Sequence, residues 1–390
     1  MSFTASCFLI ALMVVLCTGC GEGPTAPTGR GAGEVATSAQ SSKEASVRFK
    51  VEKLAGGLQV PWSIVWAPDG RMIFTERPGR VRVIENGTLR PQPLFVLPDV
   101  EESGESGLMG VALHPQFSSN RFIYLAYAYS SGGARVRVVR YREAAEGFVD
   151  RTVIIEDIPA AQYHAGCRIA FGPDGKLYVT TGDATRRELA QRMDSLAGKT
   201  LRLNDDGSVP QDNPFVGQQN VRPEIWSLGH RNAQGMDCQP GSNLMFQTEH
   251  GPSGFDGSEG GDEVNIVERG KNYGWPTVHH KQTRAGMESP LLEYTPACAP
   301  ASGAFYNGSA FPQFKGNFFL GCLRGERLIR VVLDGRRVVS QEDLIKDYGR
   351  IREVAEGPDG NLYFSTSNRD GRGKPASDDD RILRLAPAGP

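Results

Sequence analysis

Three histidines stand beside short β-like runs in this sequence. His164, in "QYHAGCRIAFGPDGKLYVTTGD", precedes an apolar run; His250, in "TEHGP", follows one; His230 lies in "SLGHRNAQG". An imidazole titrates near neutrality and can take a proton from a substrate hydroxyl, so each is a candidate general base. A single loop histidine is more often a satisfied polar group, and the odds shift only if the fold makes several polar clusters converge. "YGRIREV" places Arg350 and Arg352 two apart, on one face of a strand. With Arg231 and Arg324 elsewhere in the chain, four guanidinium groups could grip planar carboxylates, although Arg350 and Arg352 alone also read as an ordinary exposed strand face. The acidic insert "GPSGFDGSEGGDEVN" offers Asp256, Glu259, Asp262 and Glu263 on a Gly-rich loop. Such oxygen ligands suit Ca²⁺, and a solvated surface loop fits them equally well; the spacing is not that of an EF-hand.

The elements that must position these groups repeat. No long segment with helical periodicity occurs beyond Val47. Instead "APDGRMIFTERPGRVRVIENG", "HPQFSSNRFIYLAYAY…ARVRVVRY", "GPDGKLYVTTGD…GKTLRLNDDG", "QPGSNLMFQTEHG…DEVNIVERG", "FPQFKGNFFLGCLRGERLIRVVLDG" and "GPDGNLYFSTSNRDG…DRILRLAP" share a plan of turn, strand, loop and strand. They begin near Ala67, His114, Gly172, Gln239, Phe311 and Gly357, a spacing of roughly 45 to 75 residues that fits four-stranded blades with inserted loops. The expected fold is all-β: a six-bladed β-propeller of four-stranded antiparallel blades over residues 47–390, closed radially so that few edges stay exposed. "TERPG", "TTGD", "TEHG" and "TSNRDG" follow the equivalent strand of their blades and should gather at one end of the central channel.

The formal net charge is −2, which gives no reason to expect a nucleic-acid partner. No Rossmann glycine fingerprint, P-loop, Gly-x-Ser-x-Gly elbow or His-Glu-x-x-His motif is present. Residues 1–20 read as a signal peptide: "CFLIALMVVLC" is too short to span a bilayer and leads to small residues before Cys20, as in a lipoprotein signal. Residues 21–46 are small and polar and read as a flexible tether. Export to the periplasm or cell surface follows, with membrane attachment only through a lipid on Cys20. Beyond the tether, Cys167, Cys238, Cys298 and Cys322 allow one or two bridges in an oxidising compartment, in pairings that sequence does not separate.

Eight ordered blocks carry a resemblance: "PWSIVWAPDGRMIFTERPGRVRVI", "ESGLMGVALHPQF", "YHAGCRIAFGPDGKLYVTTGD", "GKTLRLNDDGSVPQDNPF", "SLGHRNAQGMD", "TEHGPSG…GGDEVN", "NYGWP" and "GRIREVAEGPDGNLYFSTS". From about residue 52 to 386 the chain resembles the soluble PQQ-dependent sugar dehydrogenases, in particular the aldose sugar dehydrogenase branch. The resemblance implies a six-bladed propeller that oxidises the anomeric hydroxyl of aldoses to lactones and passes electrons to an external acceptor. Carried over by position, it implies His164 as general base and Arg231 as the group that stabilises charge on the quinone oxygen. Asn232, His250, Arg324, Arg350 and Arg352 would be PQQ contacts. The main-chain carbonyls of Gly251 and Pro252 would be ligands of an active-site Ca²⁺, and Glu259, Asp262 and Glu263 are candidates for a structural Ca²⁺. Glu105 stands where glucose-oxidising members carry Gln, Tyr163 where they carry Asp, and both are expected near the substrate. Thr295 and Ala297 also depart from the family pattern. Two other classes fit the fold: a non-catalytic propeller binding module and a Ca²⁺-dependent lactonase.

Overall fold

The computed structural model describes residues 47–145 and 147–388; the expected signal peptide and tether lie outside the described residues. Six antiparallel sheets follow one another along the chain. Blade 1 runs from Pro61–Trp66 through Met72–Glu76 to Arg80–Glu85, and its outer edge is made by two short segments, Thr88–Leu89 and Phe95–Val96. Blade 2 is Leu108–Leu113, Phe122–Ser130, Ala134–Ala144 and Gly147–Pro159; blade 3 is Ile169–Phe171, Leu177–Thr180, Lys199–Leu203 and Ile225–Leu228. Blade 4 is Ala233–Cys238, Met245–Glu249, Asp262–Val267 and Leu292–Tyr294; blade 5 is Pro300–Phe305, Phe318–Cys322, Arg327–Asp334 and Arg337–Ile345. Blade 6 takes Ile351–Glu356, Leu362–Thr366 and Ile382–Pro387 from the end of the chain, and its outermost strand, Phe49–Ala55, from the beginning. The first strand of each blade contacts its counterparts in the neighbouring blades, which closes a ring. The six-bladed propeller of four-stranded blades expected from the repeats is therefore the observed fold.

The blades are phased one strand earlier than the turn signals suggest. In blades 1, 3 and 6 a Pro-Asp-Gly turn follows the innermost strand. Asp69, Asp174 and Asp359 each accept the backbone N–H two residues on, and Gly70, Gly175 and Gly360 take φ of 87°, 72° and 73°. Asp supplies the local cap and Gly the left-handed backbone that other residues resist. The strand after the turn, such as Leu177–Thr180, is buried on both faces because adjacent blades sandwich it. The innermost strands carry buried polar side chains instead of clean alternation, so their signal in the sequence is weaker.

Those polar side chains fill the channel. Arg168 donates to Glu353 at 2.7 Å, to Ser63 and to the carbonyl of Gln234. Trp62 lies beneath two guanidinium groups, Arg168 at 4.6 Å and Arg352 at 5.7 Å from its ring centroid. Burial pushes the Glu353 carboxyl up to about 7 against the pull of Arg168.

Two predictions follow from this architecture. Leu385 is fully buried in the strand that receives the N-terminal strand, opposite Val51. Leu385→Ala should lower the unfolding free energy by about 2–5 kcal/mol, while Val339→Ala, on an exposed strand face, should change it by less than about 0.5 kcal/mol in urea titrations. Glu353 contributes stability that is fully present below its ordinary value of 4.5 and is lost as pH rises through about 7. The stability of the wild type relative to Glu353→Gln should therefore fall across that interval; a flat difference would contradict the raised value.

Candidate active site

Two loops of each blade reach the same end of the channel: the one entering the innermost strand and the one joining the second strand to the third. The entering loops carry Glu105, His164, Arg231 and Arg350; the others carry Asp183, His250 and Arg324. They surround a cavity of about 510 Å³, lined among others by Glu105, Tyr163, His164, Arg231, His250 and Arg350. A second recess of about 260 Å³ shares Glu105, Tyr163 and Arg350 with it and adds Arg77, Arg352 and Asp370.

His164 is 3% exposed and sits in the left-handed region at φ 57°. Its Nδ1 lies 2.8 Å from Asp183 Oδ1, which also accepts the N–H of Thr185, while Asp183 Oδ2 accepts the indole N–H of Trp275 at 2.8 Å. A carboxylate held in this way takes Nδ1–H from the imidazole, which leaves Nε2 as the basic atom of a ring that lines the cavity. The glycine before Asp183 is required: a Cβ on Gly182 would stand 1.9 Å from the carbonyl oxygen of His164. Phe255 stacks on His164 with ring centroids 5.8 Å apart and is 66% exposed at the mouth of the cavity.

Each guanidinium lining the cavity or its recess has an acidic partner. Arg231, 1% exposed, pairs through Nε with Asp256 at 2.8 Å, donates to the carbonyl of His250 and to Ser253, and has Trp275 beneath it at 5.4 Å. Arg350 holds Asp370 through Nε and Nη2, both at 2.8 Å, and donates Nη1–H to the carbonyl of Leu323. Burial alone would raise the Asp370 carboxyl, but Arg352 and Arg350 outweigh it and hold it below the usual range. Arg352 bonds Ser367 and Gln234, and burial pulls it down to about 10. Arg324 lies at the rim and is ion-paired to Glu259.

His250 is buried and neutral, held by burial at about 3, and its Nε2 has no hydrogen-bond partner. Gly251 follows it, pressed so closely by the carbonyl oxygens of Gly261 and Gly260 that a Cβ would meet them at 2.2 and 2.3 Å. Asp262 lines the cavity, but its carboxylate accepts three backbone N–H groups, from Gly251, Cys298 and Ala299. Glu263 is half-buried beside Glu249, its carboxyl raised by desolvation and by that neighbour, and it accepts from Asn265. Pro252 lines the cavity, and its carbonyl accepts the N–H of Gly260 at 3.2 Å. Among the described residues no cluster of three or more His, Cys, Asp or Glu side chains is arranged to hold a metal ion.

Glu105 binds three partners: Oε2 accepts the N–H of His164 at 3.3 Å and Asn232 Nδ2 at 3.2 Å, and Oε1 takes Arg372 at 3.0 Å. Burial would raise its carboxyl, but the Arg372 charge and the hydrogen bond from the His164 N–H reverse that and hold it below the usual range. Arg372 covers the Tyr163 ring at 5.0 Å. Asn232, fully buried behind the cavity wall, also accepts the N–H of Gly166.

The structure thus gathers His164, Arg231, His250, Gly251, Pro252, Asp262, Arg324, Arg350, Glu105 and Tyr163 around one cavity, with Arg352 in the adjoining recess. Asn232, Glu259 and Glu263 stand outside the lining. Sequence reasoning missed Asp183, Phe255 and Arg372. Asp183 ends "TTGD", a segment already placed at this end of the blades, so the repeat register alone could have paired it with His164. No pattern flags Phe255 beyond its being a lone aromatic in a polar loop.

The sequence and fold are similar to those of known proteins. The Glucose / Sorbosone dehydrogenase family model matches residues 58–383. The chain is 35% identical to the aldose sugar dehydrogenase YliI of Escherichia coli strain K12 over 348 residues, covering 84% of this chain and 92% of that protein. It is 30% identical to quinoprotein glucose dehydrogenase B of Acinetobacter calcoaceticus over 273 residues, 62% of this chain and 55% of the other. The PQQ-bound aldose sugar dehydrogenase of Streptomyces coelicolor superposes with a TM-score of 0.76 at 33% identity, over 87% of this chain and 98% of that one. The chain belongs to the glucose/sorbosone dehydrogenase family and is an oxidoreductase.

Proposed function

We propose that the protein is a quinoprotein that oxidises the anomeric C1–OH of aldose sugars to lactones, with His164 as general base, PQQ and Ca²⁺ as cofactors and an external electron acceptor. The observation that carries this reading is the imidazole of His164, oriented by Asp183, in a cavity whose other walls present Arg231, Arg324 and Arg350. The residues present fit the cofactor. A tricarboxylate needs guanidinium partners, and the buried, unpartnered Nε2 of His250 suits a polar ligand atom in the cavity. Arg324, Arg350 and Arg352 would hold carboxylates, and Arg231 and His250 the quinone end; Asn232, expected as a contact, lies behind the wall and holds Glu105 instead. The carbonyl oxygens of Gly251 and Pro252 are hard donors of the kind Ca²⁺ takes. When bound, the quinone is the acceptor for the C1 hydrogen with its electron pair, and Ca²⁺ is a Lewis acid beside it.

The chain's own part is to place the sugar and move one proton. Nε2 of His164 takes the proton of O1 as the C1–H bond breaks, so that C1 becomes the lactone carbonyl. Asp183 holds the ring in the tautomer that can do this, and Phe255 offers an open aromatic face to the sugar beside it. Glu105 and Tyr163 border the same space. The reading includes export, with residues 1–20 as signal peptide and Cys20 as the lipid-bearing residue of a periplasmic or surface protein.

The test is reconstitution of the purified protein with PQQ and Ca²⁺, followed by dye reduction on adding a panel of aldoses. Wild type should reduce dye. His164→Ala should abolish turnover, and Asp183→Asn should lower kcat by roughly 10²- to 10⁴-fold, with PQQ binding by absorbance titration retained in both. Absence of PQQ binding and of dye reduction in the wild type would overturn the proposal and leave a binding module. Lactone hydrolysis without PQQ would select a hydrolase. A further outcome concerns Glu259, which already occupies Arg324. Glu259→Gln should tighten PQQ binding about two- to five-fold, the scale of an exposed ion pair; weaker binding would show that Glu259 helps to hold the cofactor or its metal.

A further inference from the structure

The four cysteines of the described residues stand as thiols, three of them buried. They fall in different places. Cys167 packs in the core between blades 2 and 3, and Cys238 against the cluster around Tyr178 and Trp226. Cys298 and Cys322 share one cluster in blades 4 and 5 and are both fully buried. Their backbones run side by side: Leu323 N–H donates to Ala299, Arg324 and Gly325 N–H to Cys298, and Pro300 is register partner to Cys322. The two side chains lie on the same side of this ladder. A Cβ placed on Gly325 would stand 3.2 Å from the Cβ of Cys298 and 3.2 Å from that of Cys322. Glycine at 325 leaves room beside both Cβ atoms, and the two thiol side chains are in contact.

We propose that Cys298 and Cys322 form a disulfide that fastens together the two segments walling the cavity, one carrying Ala297 and Ala299 and the other Leu323 and Arg324. Cys298 and Ala299 also donate their N–H groups to Asp262, so the bridge lies directly behind a fixed part of the cavity wall. Contact with Cys322 and then burial push the Cys298 thiol up, so the reduced pair is inert once folded and the bridge forms during folding. The oxidant is a low-molecular-weight disulfide such as glutathione disulfide. One cysteine thiolate attacks an oxidant sulfur and releases one glutathione thiol; the second cysteine attacks the mixed disulfide and releases the other. One S–S bond breaks and one forms, and the two electrons and two protons of the cysteines leave on the two glutathione thiols.

The full chain is unfolded in denaturant with reductant, refolded with glutathione disulfide, alkylated and digested, and its peptides are mapped by mass. The expected result is one cross-linked species joining the Cys298 and Cys322 peptides, lighter by two hydrogens than their sum, with Cys167 and Cys238 alkylated. Reductant should lower the Tm of this material by roughly 3–10 °C and leave the Tm of a Cys298→Ser/Cys322→Ser double variant unchanged. Separate alkylation of Cys298 and Cys322, or either of them joined to another cysteine or left as a glutathione adduct, would overturn the proposal, and because the map uses wild-type protein a poorly folding variant does not obscure it.

Discussion

A guanidinium withdrawn from water needs an anion beside it, and this requirement organises the whole end of the propeller that bears the site. Arg231 has Asp256, Arg350 has Asp370, Arg324 has Glu259 and Arg372 has Glu105. Lower in the channel Arg168 has Glu353. Leaving Arg231, Arg350 or Arg168 alone would cost several kcal/mol, so their carboxylates are structural before they are anything else, whereas the pairs of the half-exposed Arg324 and Arg372 are worth little. The pairing also sets terms for a polyanionic ligand. It meets arginines that are placed but already neutralised, and it binds by exchanging partners. Such exchange is easy at the rim, where Arg324 and Glu259 are half-exposed, and hard at Arg231, whose acid is nearly buried.

The acidic loop between the second and third strands of blade 4 shows how one sequence feature serves several ends. Read as oxygen ligands on a flexible chain, its carboxylates suit Ca²⁺. In the fold each already has a partner of another kind: Asp256 a guanidinium, Glu259 a guanidinium, Asp262 three backbone N–H groups and Glu263 an amide. Spacing along the chain could not distinguish these uses, because the deciding partners Arg231, Arg324, Cys298 and Ala299 come from the loop entering blade 4, from blade 5 and from the connection leading into it. The main-chain oxygens around Gly251 carry no side-chain signature at all.

The propeller was legible because each blade repeats a local instruction. Asp and Gly at the turn, and β-branched or aromatic residues in the strand after it, act within a few residues. The phase of the blades was less legible, since innermost strands such as "IREVAE" bury charge in the channel and lose the alternation that marks a half-buried strand. Single site residues were visible only where type and position agreed: His164 ahead of a strand, Arg350 beginning one. Their pairings were less visible, since His164 with Asp183 and Arg231 with Asp256 join the two loops at one end of a single blade, which the repeat register could indicate but no local pattern marks.

His164 illustrates what those pairings do together. Asp183 accepts from its ring and Glu105 from its backbone N–H, so two carboxylates hold this residue, one by the imidazole and one by the main chain. Arg372 and Asn232 hold Glu105 in place, and Trp275 and Thr185 hold Asp183. If His164 is the base proposed above, a proton taken by Nε2 would put charge on a poorly solvated ring whose Nδ1 already faces the Asp183 carboxylate, so little reorganisation would be needed. Replacing Glu105 by a neutral amide would keep an oxygen for Asn232 and for the His164 N–H, but would remove one of the two charges and the partner of Arg372. On the proposed reading, the carboxylate at 105 would therefore bear on His164 as well as on a sugar in the cavity.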